Sequence, residues 1–154
     1  MKALSVHSEH VSNIMFGLKT IELRSRPIKH RGDLLIVSSK SGIDMWAHEV
    51  ETDTSYMFPK GVQCCVVKVV DCRPATENDA EAACYYDGIQ EGTWAWEIKL
   101  KYITEFTPQV GRLNLFDVPD EKIIRMPQEK VDNLPEQLTT RIKGVPKKGA
   151  YFDF

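Results

Sequence analysis

The sequence predicts an α+β domain, a small β-barrel with short inserted helices. Strand-like segments are short and bounded by Gly and Pro, only two stretches in the first 90 residues have helical character, and the two types do not alternate as βαβ units. At 154 residues and 17.6 kDa the chain holds one full core and little more.

Lys2 to Val6 alternates as a short first strand. From Ser8, Val11, Ile14, Met15 and Leu18 fall at i, i+3, i+4 and i+7, predicting a one-sided helix of about three turns with Ser8 or a neighbour as N-cap. Gly17 is where that helix should end, because glycine enters the left-handed conformation cheaply. Thr20, Glu22 and Arg24 then alternate with Ile21 and Leu23, which places the polar three on one side of a strand. Gly32-Asp33 introduces a strand over Leu34 to Ser39, apolar enough to be buried on both faces or to lie at the centre of a barrel. Segment 41–57 is weakly patterned and reads as an insertion or loop that could carry a short helix. Gly61 opens the longest strand, Val62 to Val70, rich in β-branched residues. Thr76-x-x-Asp79 is a capping-box-like start for a short helix through Cys84. Thr93 to Leu100 reads as a strand with Trp94, Trp96, Ile98 and Leu100 on one side, continued by Tyr102 to Phe106. Leu113 to Phe116 is the last barrel element. The expected division is a domain over 1–118 and a C-terminal extension over 119–154, with a helix between Met126 and Leu138 limited by Pro135.

A composition 42% hydrophobic and 27% charged excludes a disordered chain, and a formal net charge of -2 excludes a histone-like polycation. The N-terminus lacks a signal-peptide core and no 18-residue apolar run occurs, so the expected setting is cytoplasmic, away from membranes. Cys64, Cys65, Cys72 and Cys84 match no zinc-site spacing and the four histidines never form HExxH, so the thiols read as buried and free. No metal and no cofactor is implied. Net charge hides a local contrast. Residues 19–40 hold Lys19, Arg24, Arg26, Lys29, Arg31 and Lys40 against Glu22 and Asp33, a balance of +4, whereas 71–91 reaches -5. If the fold keeps these segments apart the molecule is electrically two-sided, and its basic face could hold phosphates.

The run Gly17-Leu18-Lys19-Thr20-Ile21-Glu22-Leu23-Arg24, followed by His30-Arg31-Gly32-Asp33-Leu34-Leu35-Ile36, resembles the N-terminal signature GxKxxExR of the ASCH domain family. Trp96-x-Ile98 and the Val110 to Phe116 element extend the resemblance over roughly residues 2–118. It implies a PUA-like barrel with a cleft beside the first helix, lined by Lys19, Glu22 and Arg24, and a function in binding RNA or a modified base. Lys19 and Arg24 can neutralise phosphate or hold a base carbonyl, while Glu22 can accept from an amino edge or orient the arginine. A purely structural ion pair closing the barrel mouth is the plain alternative.

The resulting expectation is an RNA-binding or nucleotide-binding module using a basic cleft. Its binding residues are Lys19, Thr20, Glu22, Arg24, Arg26, Lys29 and Arg31, with Trp46 as a stacking platform for an unpaired base. Its partner is single-stranded RNA or a nucleoside-sized ligand. The residues leave catalysis open, with Lys19, Glu22 and Arg24 as the catalytic set of a single-strand ribonuclease or of an amidohydrolase acting on an acylated pyrimidine nucleoside. Family amidohydrolases carry K-T-x-T, and Glu22 stands here in place of the second threonine. A protein-interaction module that has lost its ligand is the third reading. Oligomeric state is not written in the sequence.

Overall fold

A computed structural model describes residues 1–41, 45–57, 59–134 and 141–143, without the side chains of 45–49, 56–57 and 141–143. Its elements in chain order are β1 (Lys2–Val6), α1 (Ser8–Met15), β2 (Ile21–Arg24), β3 (Gly32–Ser38), β4 (Met45–Glu49) and β5 (Thr54–Met57). There follow β6 (Gln63–Pro74), α2 (Ala80–Ala83), β7 (Trp94–Ile103), β8 (Phe116–Asp117), α3 (Gln128–Asp132) and β9 (Arg141–Lys143). Six strands form one mixed sheet in the order β2-β7-β6-β3-β1-β8 that curves into a half-barrel, while β4, β5 and β9 form a smaller sheet. Only the β1/β3 pair is parallel among the described strands. Parallel neighbours need a crossover, and α1 with β2 supplies it.

The apolar run of β3 is buried on both faces, the first of the two placements the sequence allows. Leu34 and Ile36 join Leu4, Val6, Ile14 and Val67 in the main core, whereas Leu35 and Val37 join Ala3, Val66, Phe116 and Val118 on the opposite side. Period-two alternation thus feeds two cores from one strand. Trp96 and Ile98 are main-core residues, with Trp94 and Leu100 packed partly against them.

Several boundaries differ from the sequence reading. The N-cap of α1 is His7, the neighbour of Ser8, and the helix spans eight residues, two turns rather than three. Leu18 is therefore exposed instead of inward: the amides of Leu18 and Lys19 both donate to Asn13 O and turn the chain outward, with Gly17 at φ +75°. Segment 41–57 contains the hairpin strands β4 and β5 and no helix among its described residues. β6 runs on to Pro74, where β7 pairs with it as far as Trp94. The last barrel strand is only Phe116–Asp117, and Leu113 is exposed. Within 126–138 the helix is Gln128–Asp132, with 135–138 outside the described residues. Among the described residues beyond 118, Met126 lies in the main core, its amide donating to Ile103 O. Cys64 and Cys65 are buried and free, whereas Cys72 and Cys84 are half-buried. Burial pushes the Cys64 thiol up to about 12, which leaves it a small hydrophobe.

The capping box is present. Thr76 and Asp79 bracket a single 3-10 turn, Glu77–Asp79, that leads into α2. Asp79 also accepts a bidentate pair from Arg73 at 2.7 and 2.8 Å, and its Oδ2 takes the Thr76 amide at 2.8 Å. The Arg73 guanidinium holds the Asp79 carboxyl below its ordinary 3.8. This carboxylate therefore stabilises the fold above about pH 4, and that stability is lost as pH falls through the lowered folded value. Asp79→Ala should cost about 1–2 kcal/mol, the scale of a lost cap. It should also flatten the acid limb of a plot of melting temperature against pH below 4.

Candidate functional site

Three charged side chains meet where β2 leaves the α1 turn. Lys19 is only 4% exposed, and its Nζ donates to Ala83 O at 2.8 Å and lies 3.4 Å from Glu22 Oε1. The other carboxylate oxygen, Oε2, accepts from Arg24 Nε at 3.0 Å and Nη2 at 2.7 Å. Arg24 also donates to Ser5 O on β1 and sits 5.9 Å from the Trp96 ring centroid. Local geometry explains the set. Residues i and i+2 of a strand share a face, so Glu22 and Arg24 project together, and Ala83 offers a carbonyl at the end of α2, where helices leave acceptors unpaired.

This chain of charges lies in a cleft of about 980 Å³. Its walls bring in Lys40 and Arg112 from two loops, His7 and His10 from the start of α1, and Tyr85 from the turn after α2. Glu22 is the sole carboxylate among the described lining residues. Lys40 and Arg112 are exposed and have no ion-pair partner among the described residues. A second groove of about 550 Å³ adjoins it, lined by Arg24, Arg26, Lys29, His30 and Trp96.

The predicted site residues are distributed unevenly over these two hollows. Lys19, Glu22 and Arg24 come together in the first. Arg26 and Lys29 line the second rather than the rim of the first. Arg31 lines neither, since its guanidinium donates to Ile28 O and lies 3.8 Å from Asp71. Thr20 is exposed outside both, for β2 begins only at Ile21 and the Thr20 backbone bridges Ala82 and Ile98. Trp46 belongs to β4, and its side chain falls outside the described residues. The acidic 71–91 segment is not held away from the basic one. It supplies Ala83 to Lys19 and Tyr85 to the cleft wall, so the two-sided charge picture gives way to a cationic cleft inside an acidic chain.

The family model described as ASCH domain matches residues 4–109, more than two thirds of the chain. The chain belongs to the ASCH domain family. No curated protein matches it. Among solved structures this ASCH domain is similar to ASCH from Zymomonas mobilis, at 13% identity and a TM-score of 0.54, covering 86% of this chain and 94% of that one. A serine-to-alanine mutant of the Zymomonas mobilis protein gives a TM-score of 0.53 at 13% identity, covering 90% of this chain and 96% of that one. At such identity the likeness speaks for the fold, a small PUA-like α+β barrel.

Four groups lining the cleft of this ASCH domain lie outside the predicted binding set: Lys40, expected only as one member of the basic 19–40 segment, and His10, Tyr85 and Arg112. The signal for His10 is its place on the first turn of α1 beside His7, where the rings stack with centroids 6.5 Å apart. Burial, then the Lys19 ammonium and the His7 ring, lower the His10 pKa below 6.5, against a smaller upward pull from Glu22 and Glu9. His10 is therefore neutral at pH 7 in the fold. Because its folded value is the lower one, stability declines as pH falls below 6.5 and goes on declining until the folded value is passed. His10→Gln should remove part of the loss in melting temperature between pH 7.5 and pH 5. Melting curves of both proteins across that range check it.

Proposed function

We propose that this ASCH domain is a cytoplasmic RNA-binding or nucleotide-binding module that holds single-stranded RNA, or a nucleoside-sized ligand, over Lys19, Glu22 and Arg24. One observation carries the reading. In a chain of net charge -2, the cleft walls present Lys19, Arg24, Lys40 and Arg112 against a single carboxylate. Such a concentration of cations in a concave site focuses potential on an anionic ligand. Lys19 and Arg24 are fixed through Glu22, which suits them to orient a ligand rather than only to attract it. Tyr85, 38% exposed on the cleft wall, offers a ring for an unpaired base. The general character of the family as PUA-like modules of RNA-binding type points the same way.

The arrangement favours binding over hydrolysis. Glu22 is tied between Lys19 and Arg24, which suits it to position these two cations, and Thr20 does not line the cleft. The test is fluorescence anisotropy of short labelled single-stranded RNA and DNA at 50 and 200 mM salt, using the wild type and Lys40→Ala/Arg112→Ala. Both substituted residues are exposed, so the variant should melt like the wild type. Salt-sensitive RNA binding, weakened about tenfold in the variant with the RNA intact on a gel, supports the module. RNA cleavage, or release of the acyl group from an acylated cytidine, transfers the reading to a hydrolase. Binding of neither nucleic acid nor nucleotide overturns it.

A further inference from the structure

Resting on that reading of the first cleft, we infer that the natural ligand is a strand of at least two or three nucleotides. It crosses Arg24 from the first cleft into the second groove, where Arg26 and Lys29 hold its backbone phosphates.

The two hollows share a wall. Leu4, Arg24, Ser25 and Asn114 line both, so a ligand leaving the first over Arg24 enters the second directly. At about 980 Å³ the first cleft is already at the top of the range for one small molecule, and the second adds about 550 Å³. A single nucleotide leaves most of that space to water, whereas a strand fills both.

Charge follows the same path. No Asp or Glu occurs among the described residues lining the second groove, and the side chains of Arg26 and Lys29 have no partner among the described residues. Neighbouring cations outside the path do find carboxylates: Arg31 lies near Asp71, and Lys101 pairs with Asp33 at 2.8 Å. The groove is also built in advance of any ligand. Trp96 Nε1 donates to Arg26 O at 2.9 Å, Arg31 Nη1 donates to Ile28 O at 2.9 Å, and the Ile28 amide meets Cys72 Sγ at 3.4 Å. These bonds hold the backbone at Arg26 and Ile28 while leaving the Arg26 and Lys29 side chains without a partner among the described residues, which lowers the ordering cost of binding.

The shared wall itself is held in an unusual conformation. Asn114 has φ +62°, and three residues earlier Gly111 passes so close to Ser5 that a Cβ there would stand 2.5 Å from Ser5 Oγ. The 111–114 turn is thereby pressed against β1 at Ser5, and Asn114 lines both hollows.

The experiment is a length series of 5′-phosphorylated single-stranded RNA, from one nucleotide to five. It is titrated against the wild type and Arg26→Ala/Lys29→Ala at 50 and 200 mM salt, with cleft occupancy by the mononucleotide as the internal reference. The expected result is affinity rising about tenfold or more from one to three nucleotides in the wild type. The variant should lose that gain, keep its mononucleotide affinity and melting temperature, and show a salt slope for the pentamer shallower by about 1.4, at roughly 0.7 per lost phosphate contact. Affinity independent of length, a pentamer indifferent to the variant, or a mononucleotide weakened as much as the pentamer overturns the strand path while leaving the first cleft as the site. Failure of every length to bind overturns the first-cleft reading, and the strand path with it.

Discussion

Glu22→Ala should destabilise the domain by about 3–5 kcal/mol, because it leaves the Lys19 ammonium, 4% exposed, without its counter-charge. For a domain of this size, 3 kcal/mol corresponds to a fall in melting temperature of about 6–12 °C. Loss of favourable attraction is the smaller part of that cost. The larger part is a cation stranded out of water, with only the Ala83 carbonyl to accept from it. The double variant Lys19→Met/Glu22→Leu removes both buried charges and fills similar volume, so it should regain most of the lost stability while losing ligand affinity. Urea titrations of the three proteins check this. Equal destabilisation of the single and double variants would show that the charges matter for their hydrogen bonds alone.

Arg24→Ala should cut single-stranded RNA affinity by about ten- to a hundredfold, the effect of losing charge-assisted hydrogen bonds worth roughly 1.5–3 kcal/mol. Arg24 contributes to both hollows and is already oriented by Glu22, Ser5 and Trp96. Arg24→Lys keeps the charge but cannot span Glu22 in two bonds. It should recover stability better than affinity, since a point charge neutralises phosphate without fixing its direction. Anisotropy titrations paired with melting curves separate the two effects.

What the sequence reveals of this site follows from the range of each interaction. Strand alternation is local, and it brings Glu22 and Arg24 to one face correctly because the same two-residue period holds in β2. It overreaches by one residue at Thr20, where the chain is still leaving the α1 turn. The double burial of β3 is likewise legible, because a run apolar on both faces has nowhere to lie but between two cores. Ala83 as the partner of Lys19 is not legible, since it comes from 64 residues away and through a backbone carbonyl that any residue type would offer. Arg112 is invisible, and Lys40 is legible only as one member of a basic segment, for a related reason. Each is an ordinary loop cation, and only the closure of the sheet brings their loops to one cleft. The hairpin of β4 and β5 is missed because its strands belong to a small separate sheet, so their residues carry no clean core-facing period.

The place of β8 in the main sheet bears on how the chain is made. β1 lies between β3 and β8, with Ala3 opposite both Leu35 and Phe116. During synthesis the β3 partner leaves the ribosome early, but β8 follows about 80 residues later, a delay of roughly 4–16 s at ordinary elongation rates. Throughout that interval the outer edge of β1 is unpaired and the second core lacks Phe116 and Val118. The pairing of β1 at Lys2 and Ala3, and with it the second core, is therefore completed only when the chain has been made as far as Val118.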